Sequence, residues 1–198
     1  VSRNAFNIDG LGERIIDLLV KQGLVSNFAD LFRLKKDDII ELEGFGEKSA
    51  NNLINSIQGS KETTLSRFIY SLGIREVGEA TAMNLALNFN NVTNFLSANE
   101  SDLLEINDIG PVASGFIQEF LSKSENVNLV KELLKLGINP KEIEINNNNP
   151  LSSKSVVITG SFNTIARSQL KEELIRAGAR VSSSISSKTD YLVAGENP

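Results

Sequence analysis

The feature that most constrains this chain is a short phrase that occurs four times between Ile8 and Gly110. Each copy has an apolar residue, two residues that are mostly small or charged, another apolar residue and a glycine. The copies are Ile8-Asp9-Gly10-Leu11-Gly12, Leu42-Glu43-Gly44-Phe45-Gly46, Ile74-Arg75-Glu76-Val77-Gly78 and Ile106-Asn107-Asp108-Ile109-Gly110. Their closing glycines are almost evenly spaced along the chain. The interval between them is typical of repeated supersecondary units.

Each phrase predicts a tight turn that ends one helix and begins another. After the first copy, residues 13–22 have apolar positions at helical spacing, and Gly23 follows where a helix C-cap is expected. The first turn of a helix has unpaired N–H groups, which together with the helix dipole attract anions. Four such turns in series predict a protein that holds a phosphate backbone.

The second half of this region repeats the first. Residues 38–42 align with residues 102–106 at the same offset that separates Gly46 from Gly110. Four positions after the closing glycine, the last three copies have Ala50, Ala82 and Ser114, which predicts close approach of two helices. The first copy has Ile16 there and is the least typical. Two motif pairs in tandem predict an approximate internal two-fold axis, which is also the symmetry of a duplex backbone.

The candidate phosphate-binding residues are glycines of the turns and cations close to them. They are Gly10, Gly12, Arg14, Gly44, Gly46, Lys48, Arg75, Gly78 and Gly110. The alternatives are that the glycines only close helical turns, that Arg14 and Lys48 are solvated charges, and that Arg75 forms an ion pair within its domain. A side chain at Gly46 is expected to distort the loop and misdirect several N–H donors.

The other residues of the phrases are expected to play structural or unfavourable roles. The apolar residues before the closing glycines are expected to pack between the hairpin helices rather than enter a groove; they are Leu11, Phe45, Val77 and Ile109. Acidic Glu76 and Asp108 replace the first glycine in the third and fourth copies, where acids beside a phosphate are unfavourable. These hairpins are expected to bind less tightly unless the acidic side chains turn away.

Composition limits the chemistry that the chain can perform. It has no cysteine and no histidine, which excludes disulfides, thiolate metal ligands and the commonest general base. The net charge of −5 is unusual for a nucleic-acid binder. Backbone amides and a few placed cations can nevertheless hold phosphates in an acidic protein. There is no apolar run of about 18 residues, so no membrane span is expected. A membrane is likewise not expected among the partners.

A change in composition near residue 145 predicts a domain boundary. Asn146–Asn149 are four consecutive asparagines followed by Pro150, which is typical of a linker. We therefore predict a DNA-binding domain over residues 1–143, a linker over 144–152 and a second domain over 153–198. In the second domain residues 155–159, 180–182 and 190–194 read as strands and residues 167–177 as a helix, which indicates an α/β fold.

These features together resemble the C-terminal half of bacterial NAD-dependent DNA ligases. The opening residues 1–12 look like the stretch between that family's zinc finger and its helix-hairpin-helix domain, and residues 71–78 are similar to its third hairpin. Three segments look like the front half of a BRCT domain: Thr159-Gly160-Ser161-Phe162, Gly178-Ala179-Arg180-Val181 and Thr189-Asp190-Tyr191-Leu192-Val193-Ala194-Gly195. The resemblance implies a mainly α fold with four helix-hairpin-helix motifs in tandem, followed by a truncated α/β BRCT-like domain.

The same resemblance implies what the chain contributes to a larger enzyme. The family seals nicks with NAD and magnesium and contains a zinc finger, but no Lys-x-Asp-Gly adenylation motif or cysteine occurs here. We expect no cofactor in this segment, which would hold nicked double-stranded DNA as a cytoplasmic, nucleoid-associated bacterial monomer. Its start at Val1 suggests a fragment. Thr159 and Ser161 resemble a BRCT phosphate-binding position, although a strand-end cap fits equally well, and the BRCT partner is unknown.

Two other functions are compatible with the same residues. The hairpins could belong to another DNA repair protein, such as an excision nuclease subunit or a junction-binding scaffold. They could also be a helical scaffold in a protein-interaction module.

Overall fold

The computed structural model describes residues 5–106, 108–142, 149–182, 185–187 and 189–196. The chain divides into two compact units, residues 1–142 and residues 143–198. Most of the predicted linker, residues 144–148, lies outside the described residues, and residues 149–152 form turns. In the described part of the chain, every helix is too short or too polar to cross a membrane.

The first unit is built from helices joined by short turns. The helices of its first half are α1 (Glu13–Lys21), a 3₁₀ helix (Phe28–Arg33), α2 (Lys36–Ile40) and α3 (Glu47–Gly59). A short strand, β1 (Glu62–Thr64), follows. The helices of the second half are α4 (Leu65–Ser71), α5 (Glu79–Phe89), α6 (Val92–Leu96), α7 (Glu100–Leu104), α8 (Pro111–Ser122) and α9 (Ser124–Lys135). The unit ends in strand β2 (Asn139–Lys141).

Helix caps repeat at the same offset as the apolar pattern of the two halves. Asn27 caps the 3₁₀ helix by accepting from the Asp30 N–H at 3.2 Å, and Asn91 caps α6 by accepting from the Asn94 N–H at 2.9 Å. Asp38 accepts from the Lys35 N–H before α2, as Asp102 does from the Asn99 N–H before α7. Each bond satisfies an N–H group that a helix leaves free at its start. The internal repeat therefore extends to the signals that begin the helices.

Four phenylalanine rings form an aromatic cluster in the core of the first unit. Phe6 lies at its centre, with ring centroids 5.3 Å from Phe28, 5.3 Å from Phe32 and 6.3 Å from Phe68. Aromatic ring pairs at these centroid distances stabilise beyond the area that they bury. Because Phe6 precedes the first hairpin and Phe68 belongs to α4, the cluster joins the two halves of the unit.

A two-stranded parallel ladder joins the two ends of the second half. β1 pairs with β2 so that Glu62 lies opposite Asn139 and Thr64 opposite Lys141. A salt bridge of 2.9 Å between Lys141 and Glu62 accompanies the ladder. The ladder brings the residues immediately before α4 to those that follow α9, and thus closes the second half into a loop.

The second unit is a three-stranded parallel sheet with one helix among its described residues. Its elements are β3 (Ser155–Thr159), α10 (Arg167–Arg176), β4 (Arg180–Ser182) and β5 (Tyr191–Ala194), and the strand order is β4-β3-β5. Val156, Val157 and Ile158 of the central strand are all buried, as their apolar run predicts. The bounds of these elements agree closely with those predicted from the sequence.

Glycines permit close backbone contact at the end of this sheet. A Cβ atom on Gly195 would lie 2.2 Å from the Ser161 carbonyl oxygen. Gly160 has φ +79°, a conformation that favours glycine. The chain after β3 and the chain after β5 can therefore pair at this point.

Candidate nucleic-acid interface

The four phrases fold into four turns of the same geometry. In each turn the N–H of the fourth residue donates to the carbonyl oxygen of the first, at 3.0 to 3.2 Å. The third residue has positive φ in every copy: +80° at Gly10, +85° at Gly44, +63° at Glu76 and +65° at Asp108. All four copies therefore keep the same turn, even where glycine is not present.

Glu76 and Asp108 adopt a backbone conformation that L-residues with a Cβ atom rarely adopt. Left-handed φ costs such a residue about 1–2 kcal/mol, and aspartate tolerates it better than glutamate. Both side chains are exposed. The third and fourth hairpins thus keep the turn at an energetic cost and place a carboxylate where the first two hairpins have only hydrogen.

The closing glycines are helix N-caps, and their backbone does not require glycine. Their φ angles are −83° at Gly12, −130° at Gly46, −82° at Gly78 and −88° at Gly110, all with extended ψ. A Cβ atom at any of the four would meet no atom within 4 Å. The expectation that a side chain at Gly46 distorts the loop is therefore wrong, because an extended backbone accepts any residue.

The first turns of the four hairpin helices are not capped by the side chain of their N-cap residue. Since that residue is glycine in α1, α3, α5 and α8, the N–H groups of the first turn face no side chain from the cap. All four glycines are exposed. Exposed amides at a helix start are the kind of group that binds anions, although Pro111 leaves α8 with one N–H fewer.

Small and apolar residues pack between the two helices that each turn joins. Ala50, Ala82 and Ser114 are completely buried, as close helix approach requires, whereas Ile16 of the first hairpin is half-buried. The apolar residues that precede the closing glycines are packed inside: Leu11, Val77 and Ile109 are buried and Phe45 is half-buried. This agrees with packing between hairpin helices.

Arg14 and Lys48 occupy the second position of α1 and α3, next to the free amides. Both are exposed, and within the described part of the chain neither side chain forms an ion pair. The acid beside Lys48 is Glu47, which forms a 3.2 Å salt bridge with Lys36 of α2. The first two hairpins thus present cations whose charge is not used within the described part of the protein.

The third and fourth hairpins have different residues at this position. Ala80 stands there in α5 and Val112 in α8, and Val112 is 68% exposed. Together with Glu76 and Asp108, these residues make the second pair of hairpins less favourable for phosphate than the first. Both residues lie two positions after the closing glycine, an offset that can be read from the sequence.

Arg75 of the third hairpin contacts an aromatic ring of the fourth. Its guanidinium carbon lies 4.8 Å from the ring centroid of Phe116 in α8. Its charge also helps to hold the pKa of Glu119 below the ordinary value, after the larger effect of the hydrogen bond from Lys123. Phosphate contact by Arg75 stays a prediction, and its aromatic partner Phe116 was not predicted from the sequence.

A shallow cleft of about 520 Å³ separates the first and second hairpins. Three predicted site residues, Gly10, Arg14 and Gly44, lie around it together with half-buried Phe45. The structure therefore brings the first two hairpins to one surface.

The second unit places Ser161 in a backbone pairing. Its N–H and its hydroxyl both donate to the Glu196 carbonyl oxygen, at 2.9 and 3.2 Å. Thr159 is the last residue of β3. These bonds fit the strand-end role, and the phosphate-binding role stays a prediction.

Comparison with known proteins finds three family matches in the order predicted. Residues 3–58 match the SAM-like helix-hairpin-helix tandem, residues 67–130 match the helix-hairpin-helix motif, and residues 146–198 match the BRCA1 C terminus (BRCT) domain. The predicted fold class, a mainly α tandem of hairpins followed by a BRCT-like α/β unit, is confirmed.

Curated relatives extend the similarity along almost the whole chain. A DNA ligase of Legionella pneumophila (strain Corby) is 46% identical over 98% of this chain, and one of Hahella chejuensis (strain KCTC 2396) is also 46% identical over 98%. A DNA ligase of Nitrosococcus oceani is 43% identical over 99%. The chain spans 29% of the length of each of these relatives.

Proposed function

We propose that the hairpin unit binds duplex DNA through the phosphate backbone of the DNA. The chain is homologous along nearly its whole length to a segment of DNA ligases. In the parent enzyme this binding would hold nicked DNA for sealing in replication and repair. The adenylation chemistry, with NAD and magnesium, and a zinc finger would belong to other parts of that enzyme. The segment itself would act as a monomer in the bacterial cytoplasm.

One observation carries this proposal: the four closing glycines are not needed by the fold. Their backbone is extended and the space above them is open, so any residue fits within the chain itself. Glycine at a helix N-cap is useful when a ligand must come close to the amides. A phosphate oxygen accepts from such amides at about 2.9 Å, and a side chain at the cap would obstruct it.

The amide sites explain how an acidic chain can bind DNA. Backbone donors carry no base information, so we expect binding without sequence preference. The counterions that are released come from the phosphates near Arg14, Lys48 and Arg75. The three cations alone would give log K against log salt a slope of about −2.7.

The test is a fluorescence anisotropy titration of the full chain with a labelled duplex at several salt concentrations. Nicked duplex, intact duplex of two unrelated sequences and the corresponding single strand are compared. We expect salt-dependent binding to all duplexes with similar affinity for the two sequences. Absence of salt-dependent duplex binding would sink the proposal and favour a protein-interaction scaffold.

A further inference from the structure

Among the described residues, one cation–π contact joins the third hairpin to the fourth. In it the guanidinium of Arg75 lies over the ring of Phe116. Arg75 lies in the turn, three residues before the N-cap Gly78, and it is exposed. Phe116 lies in the second turn of α8 and is half-buried. The ring is therefore held by the core while the guanidinium above it faces solvent.

The contact with the Phe116 ring leaves the hydrogen-bond donors of Arg75 unused. A ring face attracts the positive charge but accepts no conventional hydrogen bond from the in-plane N–H groups. Among the described residues, no hydrogen bond or ion pair is found for the Arg75 side chain. The planar fork of donors thus remains available for two oxygens of one phosphate.

The nearest acid on the same face of α8 is already paired. Glu119, three residues after Phe116, binds Lys123 with an Nζ–Oε1 distance of 2.7 Å. This hydrogen bond is the main reason why the pKa of Glu119 is lowered. Because Lys123 holds the carboxylate, Glu119 does not draw Arg75 into a direct ion pair.

We infer that Phe116 is a positioning residue, which holds Arg75 in an orientation ready to bind a DNA phosphate. An exposed arginine otherwise samples many rotamers and loses that freedom on binding. Stacking on a fixed ring removes part of the loss before DNA arrives. The inference rests on the proposed DNA binding, and it assigns the second pair of hairpins a phosphate contact that depends on a side chain rather than on amides alone.

The test measures DNA affinity against salt concentration for a cycle of variants of the full chain. Arg75→Ala is expected to make the slope of log K against log salt shallower by about 0.9, since one phosphate contact is lost. Phe116→Leu keeps an apolar side chain and removes the ring. It is expected to weaken binding about two- to fivefold at fixed salt, the factor of an exposed cation–π contact, with the slope unchanged.

Two further variants separate positioning from a structural effect. Phe116→Tyr keeps the ring face and should bind like the parent, and Phe116→Leu should have no effect when Arg75→Ala is already present. Phe120→Leu is the matched control, since Phe120 is also half-buried in α8. An equal loss from Phe116→Leu in both backgrounds, or no rescue by tyrosine, would overturn the inference.

The same titrations distinguish failure of DNA binding from failure of the Arg75–Phe116 contact. If the parent chain shows no salt-dependent duplex binding, the proposed function fails. If the parent binds but Arg75→Ala leaves the slope unchanged, DNA binding stands and the assignment of Arg75 and Phe116 is wrong.

Discussion

Replacing Gly46 by valine separates what the fold needs from what the ligand needs. Gly46 is the N-cap of α3, with φ −130° and ψ 179°, and an added Cβ meets nothing within 4 Å. Glycine is a better N-cap than valine, so the free energy of unfolding should fall by no more than about 1 kcal/mol. Circular dichroism melts of the variant should therefore remain close to those of the parent.

DNA affinity should fall much more than stability. The proposed function places a phosphate oxygen at the amides of the first turn of α3, next to the N-cap, where a branched side chain is expected to obstruct it. A hydrogen bond to a charged group contributes about 1.5–3 kcal/mol, so one lost bond weakens binding about 10- to 150-fold. Lys48→Ala removes one exposed cation and should mainly make the salt slope shallower by about 0.9.

Gly59→Val is the matched control because it makes the same change at the other end of α3. Gly59 is exposed, and a Cβ there also meets nothing within 4 Å. The four proteins are titrated with the same labelled duplex at several salt concentrations. If folded Gly46→Val binds like the parent while Lys48→Ala abolishes binding, side-chain charge rather than the amides holds the DNA, and the reasoning is refuted.

Three further predictions use other parts of the first unit. Val112→Lys places a cation at the position that Arg14 and Lys48 occupy in the first two hairpins. Duplex affinity should therefore rise and the slope of log K against log salt should steepen by about 0.9. Unchanged affinity would show that the fourth hairpin stays away from phosphate. Gly115→Ala, at an exposed open position inside α8, should raise the free energy of unfolding by about 0.5–1 kcal/mol without changing DNA affinity, and a loss of stability in urea would contradict the helical assignment. The pKa of Asp30 is lowered, mainly because the Ser26 N–H donates to its carboxylate. The ionised carboxylate therefore stabilises the fold above the unfolded pKa, and this stabilisation is lost as the pH falls through the lower folded pKa. Asp30→Asn should therefore reduce the dependence of unfolding free energy on pH below about 4, and parallel curves for the two proteins would rule this out.

Local patterns were sufficient to predict most of the fold. The repeated phrases marked the four hairpins because an apolar residue before a glycine N-cap is a short-range signal. The run Val156–Ile158 marked a buried strand in the same way. The prediction succeeded where a few neighbouring residues decide the backbone.

The unpredicted features depend on residues that are distant in sequence or on backbone geometry. β1 and β2 pair residues that lie on opposite sides of the whole second half, and Asn139-Pro140-Lys141 has no strand propensity that would have revealed it. Arg75 meets Phe116 only because two hairpins pack together. The sequence likewise showed Glu76 as an unfavourable charge, whereas the structure shows it as a residue in a left-handed turn.

The parallel pairing of β1 with β2 has a mechanical consequence for the first unit. A force that separates the start of β1 from the end of β2 acts along both strands in opposite directions. The hydrogen bonds of the ladder are then loaded together in shear, which resists more than opening them one after another. Tension between residue 62 and residue 141 would therefore load this short ladder and the Lys141–Glu62 salt bridge together. The ladder would share such a load with the contacts that the first half makes directly with the second, such as Phe6 with Phe68 and Arg33 with Glu132.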